Sequence, residues 1–283
     1  MDRAIPQAFR HIEVHPLSTA LGAEIEGVDL SRPLTDDVVD EIRRAFLAYL
    51  VIFFRRQQLA PQNLLDVAAR FGEPIAYPQL EGLPGYPLVT LVKKLEQEEI
   101  NFGGAWHSDT SYLEYPPKAS MLYAVEIPPI GGDTLFANQY MAYETLSRGL
   151  KETLAPLVGV NTSTNPVSAV TRVDRMKEVA AELKVLVGEH PVARTHPETG
   201  RVALYINHGH TSHFNGWTEQ ESTPLLRYLF DHQIKSEFTC RLRWQPGTLA
   251  VWDNRCTQHY PMNDYHGHRR VMHRVTLAGE RPL

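Results

Sequence analysis

Thr248-Leu249-Ala250-Val251-Trp252-Asp253 and, after a polar interval, Val271-Met272-His273-Arg274-Val275-Thr276-Leu277 decide the fold. Both runs are short, rich in β-branched and apolar residues and bounded by polar stretches, as strands are. Similar runs precede them at Val192–Thr195, Val202–Ile206 and Phe238–Arg243, and one helical stretch, about Thr218–His232, interrupts the series. Working back toward the start, strand-like segments occur at Ala105–Ser111, Ser120–Ile127 and Thr134–Asn138, with Pro128–Asp133 as a turn. Earlier still come Ile12–Val14, Ala23–Gly27, Tyr86–Val92 and the continuous Leu50–Phe54, which reads as a strand buried on both faces.

Helices are fewer. Thr35-Asp36-Asp37 opens one in which Val38, Val39, Ile42, Ala45, Phe46 and Leu50 recur at helical spacing, its acidic first turn matching the helix dipole. Others are expected at Pro61–Phe71 and near Gln139–Arg148. The Thr-, Ser- and Asn-rich stretch Gly159–Asp174 reads as a loop, followed by a polar helix to about Leu186. Strands this far apart in sequence do not follow the alternating pattern of a doubly wound sheet. They point to a mainly β fold with flanking helices, a β-sandwich or jelly roll. No Pro/Gly/Ser-rich linker divides the chain, so one domain over 1–283 is expected, with a mobile active-site loop near 74–104 ending in the polar Glu96–Gly104.

Composition narrows the function. The 283 residues carry 33 acidic against 28 basic side chains, a net charge of −5, which argues against a phosphate-tracking surface and hence against nucleic acid. No apolar run approaches the roughly 20 residues needed to span a bilayer, and Met1–Arg10 has no apolar signal core. Two cysteines, Cys240 and Cys256, cannot build a disulfide framework, so a reducing cytoplasm is expected. Thirteen histidines direct attention to a nitrogen- and oxygen-ligated metal.

In Trp106-His107-Ser108-Asp109 an imidazole and a carboxylate stand two apart, and on a strand both would face the same way. The pair needs a third ligand. His259 offers one, placed after a β-type run and the polar turn of Trp252-Asp253-Asn254-Arg255. Two His and one carboxylate leave open positions on an octahedral ion, as in non-haem Fe(II) oxygenases.

Here the sequence resembles the Fe(II)- and 2-oxoglutarate-dependent dioxygenases of the taurine dioxygenase and 2,4-D dioxygenase group. The resemblance runs through Leu21–Ile25, Gly27–Leu30, Phe71-Gly72-Glu73, Trp106–Asp109, Gly131–Thr134, Arg194–Pro197 and Trp252–Arg255 to His259, Arg270 and Arg274. It implies a double-stranded β-helix, the cupin-like jelly-roll barrel. It implies His107, Asp109 and His259 as iron ligands, and Thr134 with Arg270 as contacts to the distal carboxylate of 2-oxoglutarate. An always-charged planar guanidinium suits that carboxylate. Arg269 and Arg270 should leave a strand on opposite faces, and Arg270 is taken as the inward one. Arg274, four further on, shares its face and resembles a second anion clamp, with a structural ion pair or support of Arg270 as the other readings.

The family chemistry consumes O2 and 2-oxoglutarate, hydroxylates a C–H bond and releases succinate and CO2. By resemblance Tyr77, Gly103, Thr110, His210 and Val167 match substrate-pocket positions. Polar contacts that the taurine enzyme makes are largely missing here, which implies a bulkier small organic anion: an alkyl sulfate, an alkylsulfonate or an aryloxyalkanoate. Family members are commonly dimers or tetramers, so a homo-oligomer is expected. A zinc-dependent hydrolase or a non-catalytic cupin-like binding protein are the alternatives; neither needs the pairing of Thr134 with Arg270. The cluster His208, His210, His213 reads as an irregular loop and not a second metal site. His196, His266, His268 and His273 read as turn or surface residues, and Cys256 as a small packed one.

Overall fold

Val51 to Phe54 are all buried, and their side chains alternate between two separate cores: Ile52 and Phe54 in one, Val51 and Phe53 in the other. That alternation organises the molecule. The computed structural model describes residues 8–78, 80–167 and 185–283. Its strands are β1 (Glu13–Pro16), β2 (Ala23–Glu26), β3 (Val51–Phe54), β4 (Pro74–Ile75), β5 (Gly82–Leu83), β6 (Tyr86–Lys94), β7 (Ala119–Glu126), β8 (Thr134–Asn138), β9 (Val158–Thr162), β10 (Val187–Pro191), β11 (Ala193–Thr195), β12 (Val202–Leu204), β13 (Thr211–Phe214), β14 (Thr239–Leu242), β15 (Leu249–Asp253), β16 (Thr257–Pro261) and β17 (Arg270–Leu277). Helices are α1 (Asp36–Tyr49), α2 (Pro61–Phe71), α3 (Gln139–Glu144), α4 (Arg148–Leu154) and α5 (Glu219–His232).

The main sheet runs β1-β2-β3-β15-β7-β17-β6-β5, with β4 also on β17, and all pairs are antiparallel except β2 with β3. A second sheet, β14-β8-β16, packs on it through Phe136, Cys240 and Leu242 against Phe53, Leu122, Ala250, Trp252 and Met272. Leu249 and Val251 of β15 and Val275 and Leu277 of β17 point the other way, toward α1 and α2. The result is the double-stranded β-helix expected. In β17 the same alternation that turns Val275 and Leu277 to the helices turns Arg270, Met272 and Arg274 into the barrel, while Arg269 stays outside beside Glu126 at 3.4 Å.

Helix α1 starts where Thr35 accepts the Val38 N–H and stops where Leu50 takes a left-handed φ of 66° and returns its N–H to Phe46 O. It buries Ile42, Ala45 and Phe46, and its Glu41 carboxylate accepts the N–H groups of Arg10, His11 and Ile12. Among the described residues, no helix is long and apolar enough to cross a membrane.

Several expectations are corrected. Ala105–Ser111 is not a strand: His107 makes a single bridge to His259, then the chain turns, with Thr110 at a left-handed φ of 41°. Extended backbone would hold residues 107 and 109 about 6.6 Å apart; the turn draws their side chains together. The helix expected at 139–148 is two, because the Thr145 hydroxyl bonds back to Met141 O and Ser147 caps a new start by accepting Leu150 N–H. The loop expected from Gly159 contains β9, whose polar Asn161 is buried and accepts a bond from the Thr211 hydroxyl at 2.7 Å. Likewise β13 occupies part of the supposed loop 207–213. Between 74 and 104, the strand expected at Tyr86–Val92 is present as β6, running on to Lys94, and two short strands not expected, β4 and β5, precede it. The polar helix expected before Leu186 lies outside the described residues for most of its length.

Candidate metal centre

The site forms where the segment before β7 meets β16. His107 donates its N–H to His259 O at 3.1 Å and receives the reverse bond at 2.9 Å, so the two backbones fix the two imidazoles with ring centres 4.2 Å apart. The His107 Nδ1–H donates to Ala105 O at 2.6 Å, a carbonyl that can only accept. Its Nε2 lone pair is thereby left to face Asp109 Oδ1, 3.6 Å away, and His259 Nε2 lies 3.8 Å from the same oxygen.

The two carboxylate oxygens of Asp109 have different surroundings. Oδ2 accepts from Arg274 Nη2 at 2.5 Å and from the Ser120 hydroxyl at 2.7 Å. Ser120 in turn accepts from Asn254 Nδ2 and Arg274 Nη2, and Asn254 Oδ1 accepts from Trp252 Nε1. Oδ1 has no hydrogen-bond partner among the described residues, although it is buried. Burial opposes the charge, but Arg274, His259 and His107 outweigh it and hold the Asp109 carboxyl well below the usual range. An ionised, unpartnered oxygen between two Nε2 atoms is what a divalent cation requires, and the three groups fit one.

The adjoining cavity, about 40 Å³, is walled by Val92, Phe102, Leu122, Trp244, Trp252 and Pro261. Thr134, Arg270 and Arg274 also line it. Thr134 Oγ1 accepts from Trp244 Nε1 at 2.9 Å. Arg270 is 6% exposed, its Nε and Nη2 have no hydrogen-bond partner among the described residues, and burial pushes its guanidinium down from the ordinary value. Arg274 lies 4.6 Å over the Tyr77 ring, and its Nε is unpartnered. A roomier groove of about 420 Å³ lies beyond Trp106, lined by His208, Leu226 and Phe230. It holds none of the three converging ligands, so chemistry and not size locates the site.

Gly103 sits directly against His107: a Cβ there would come 3.0 Å from Cε1 and 3.5 Å from Nε2. Tyr77 backs Arg274. Thr110 and His210 are fully buried behind the ligands, His210 edge-on to His107 at 5.8 Å, and do not line the cavity. The structure does not bring Val167 to it; that side chain is 38% exposed. Sequence reading passed over Ser120 and the role of Asn254. Asn254 stood inside a quoted motif, and Ser120 was visible only as a hydroxyl at an inward strand position.

His196, read as a turn or surface residue, does occupy a turn but is buried, bonded to Asp253 at 3.0 Å. With Cys256 these form a second cluster of metal-ligating types. Arg255 already grips both Asp253 oxygens, at 2.8 and 2.7 Å, so the charge a cation would bring is supplied by the guanidinium. Cys256 is a small packed residue, as expected. His266 and His268 are exposed, whereas His273 is half-buried on β17.

A jelly roll in which two imidazoles and one carboxylate converge beside a buried arginine defines a non-haem metal oxygenase. The chain belongs to the taurine catabolism dioxygenase TauD, TfdA family, whose pattern matches residues 13–276. It is 37% identical over 96% of its length, and 91% of the relative's, to an alpha-ketoglutarate-dependent sulfate ester dioxygenase of Pseudomonas putida. It is 34% identical over 99% of its length, and 89% of the relative's, to an alkylsulfatase of Acinetobacter baylyi. The crystal structure of a taurine dioxygenase from Burkholderia xenovorans superimposes with a TM-score of 0.82 and 38% identity, over 97% of this chain and 91% of that one.

Proposed function

We propose that the protein hydroxylates a small anionic organic substrate with Fe(II) held by His107, Asp109 and His259. It is a 2-oxoglutarate-dependent dioxygenase. The observation that carries the metal assignment is the unpartnered Asp109 Oδ1 facing two Nε2 atoms. Bound iron, with 2-oxoglutarate and O2, supplies an oxidation that ends in succinate, CO2 and a hydroxylated carbon.

The protein's part is placement. Arg274 and Ser120 occupy Oδ2, so Asp109 presents one oxygen and leaves room for other ligands. Arg270 and Thr134 bind the distal carboxylate of 2-oxoglutarate, consistent with the two unpartnered N–H groups of Arg270 at the cavity wall. Gly103 and the unpartnered Arg274 Nε meet the substrate, with Tyr77 supporting Arg274 from behind, and its apolar part rests on Val92, Phe102 and Leu122. An apolar wall beside a cation favours an alkyl sulfate, alkylsulfonate or aryloxyalkanoate, and the sulfate ester dioxygenase relative supports the first. A hydroxyl placed on a carbon that carries oxygen makes the product fragment. Two free, buried cysteines accord with a cytoplasmic site, and the assembly is proposed as a dimer or tetramer, to be tested by light scattering.

The test is succinate release from 2-oxoglutarate across a panel of sulfate esters, sulfonates and aryloxyalkanoates. Release driven by one of these anions, and lost in Asp109→Ala, is expected. Turnover of neutral or cationic compounds alone would sink the anion assignment. A zinc hydrolase or a non-catalytic cupin leaves the unpartnered Arg270 without a purpose and predicts no succinate.

A further inference from the structure

Lys94, at the end of β6, is 2% exposed, and its Nζ has no hydrogen-bond partner among the described residues. Among the described residues no carboxylate pairs with it. The contact it makes is with the Tyr265 ring, 4.5 Å below Nζ. A buried amine that forgoes both water and a counter-charge is costly, and a methionine of similar length would remove the cost.

Its position explains the arrangement. Lys94 is the register partner of Arg270 across β6 and β17, and cross-strand partners leave a sheet on the same face. Two residues earlier on that face, Val92 lines the cavity. Tyr265 belongs to the same cluster: a Cβ built on Gly132 would lie 3.3 Å from its ring and 3.4 Å from Arg270 Cδ. Arg270 has two unpartnered N–H groups of its own. Among the described residues neither of these adjacent buried cationic side chains has a salt bridge, and Asp133, which favours the Arg270 charge from a distance, is bonded by Arg241 at 2.6 Å; the pair calls for an anion with more than one acceptor oxygen.

We infer that Lys94 is a second cationic contact for the distal carboxylate of 2-oxoglutarate, completing the end of the cavity that Arg270 begins; this rests on the 2-oxoglutarate reading above. The carboxylate then has a fork from one strand and an ammonium from its neighbour. Register between β6 and β17, not loop placement, sets their separation. The cosubstrate is thus recognised by a rigid pair within the main sheet.

The experiment is calorimetric binding of 2-oxoglutarate and of 2-oxobutyrate, which has the same keto-acid end and no distal carboxylate, to Mn(II)-loaded protein, with the melting temperature of metal-free protein alongside. In Lys94→Met the affinity for 2-oxoglutarate should fall at least about tenfold, that for 2-oxobutyrate should stay as in the wild type, and the metal-free protein should melt at the same temperature or higher. Lys94→Gln guards against a folding failure and must show the same selective loss. A 2-oxoglutarate affinity within about twofold of wild type, when Arg270→Met weakens it, overturns the role of Lys94 and leaves the functional reading standing. Equal losses for both keto acids, or a lowered melting temperature with no selectivity, overturn it as well and make Lys94 a structural support of Tyr265. Absence of 2-oxoglutarate binding by the wild type would overturn the functional reading itself.

Discussion

Asp109 shows how one side chain can serve two opposite requirements. One oxygen is tied down by Arg274 and Ser120, and the other is kept bare. Ser120→Ala removes the hydroxyl that holds Oδ2 and strands Asn254 Nδ2, so divalent metal affinity should drop about 10- to 100-fold. Titration with Mn(II) checks this; an unchanged affinity would show that Arg274 alone orients the carboxylate. A second residue-scale prediction concerns His190. Its Nε2–H is shared by Ser111 O and Leu113 O, both at 2.9 Å, which pins the turn after Asp109. Its buried Nδ1 has no hydrogen-bond partner among the described residues, and burial pushes the pKa from 6.5 down to about 4. The unfolded chain therefore binds the proton first on acidification, and stability present above pH 6.5 is lost as pH falls toward 4. The loss amounts to about 3 kcal/mol. Urea unfolding of His190→Asn should lack this component of the pH slope; a slope parallel to wild type would count against it.

At the scale of elements, the sequence was legible where side-chain identity decides structure and opaque where backbone detail does. The alternation in Leu50–Phe54, Thr248–Asp253 and Val271–Leu277 is written in apolar residues, so those strands and the inward face of β17 could be read directly. Thr35 and Thr218 marked the starts of α1 and α5 for the same reason: a hydroxyl cap is a local signal. By contrast β9 and β13 are polar strands whose Asn161 and Thr211 satisfy one another inside the protein, and polarity made them look like loops. The spacing His107-x-Asp109 was singled out on the premise of a strand, a geometry that does not occur. A one-residue bridge and a turn, not a strand, bring the groups together. Gly103 belongs to this element. Its φ of 83° and its contact with His107 leave no place for a side chain. Gly103→Ala should cost about 1–2 kcal/mol from backbone strain and displace the His107 ring, lowering metal affinity. Chemical denaturation and Mn(II) titration together would detect both; wild-type values in each would refute the packing argument.

Across the whole molecule, Arg255 joins parts that the sequence keeps apart. It bonds Asp253 at the end of β15 and, at 2.7 Å, Glu198, which also pairs with Arg43 on α1. Burial opposes the charge on Asp253, but Arg255 and His196 outweigh it and hold the carboxyl far below the usual range. Arg255→Met would leave Asp253 charged, buried and short of its main counter-charge, and should destabilise the protein by about 3–5 kcal/mol. Urea unfolding measures it, and a loss under about 1 kcal/mol would mean the network contributes little. This long-range connectivity was the least legible feature, because spacing along a chain carries no sign of which distant charges will meet.

The position of β17 has a consequence for how the protein is made. That strand lies between β6 and β7, yet every other described strand is synthesised before it. Until it leaves the ribosome, β6 and β7 each present an unsatisfied edge, a template for pairing with neighbouring chains. Arg270 and Arg274 arrive with the same strand, so the cavity wall gains both guanidinium groups at the moment the sheet is sealed. A nascent chain that has not closed its sheet therefore also lacks Arg274, which orients Asp109, and Arg270, the arginine proposed to place the cosubstrate, so on that proposal oxidising chemistry is withheld from a half-built barrel.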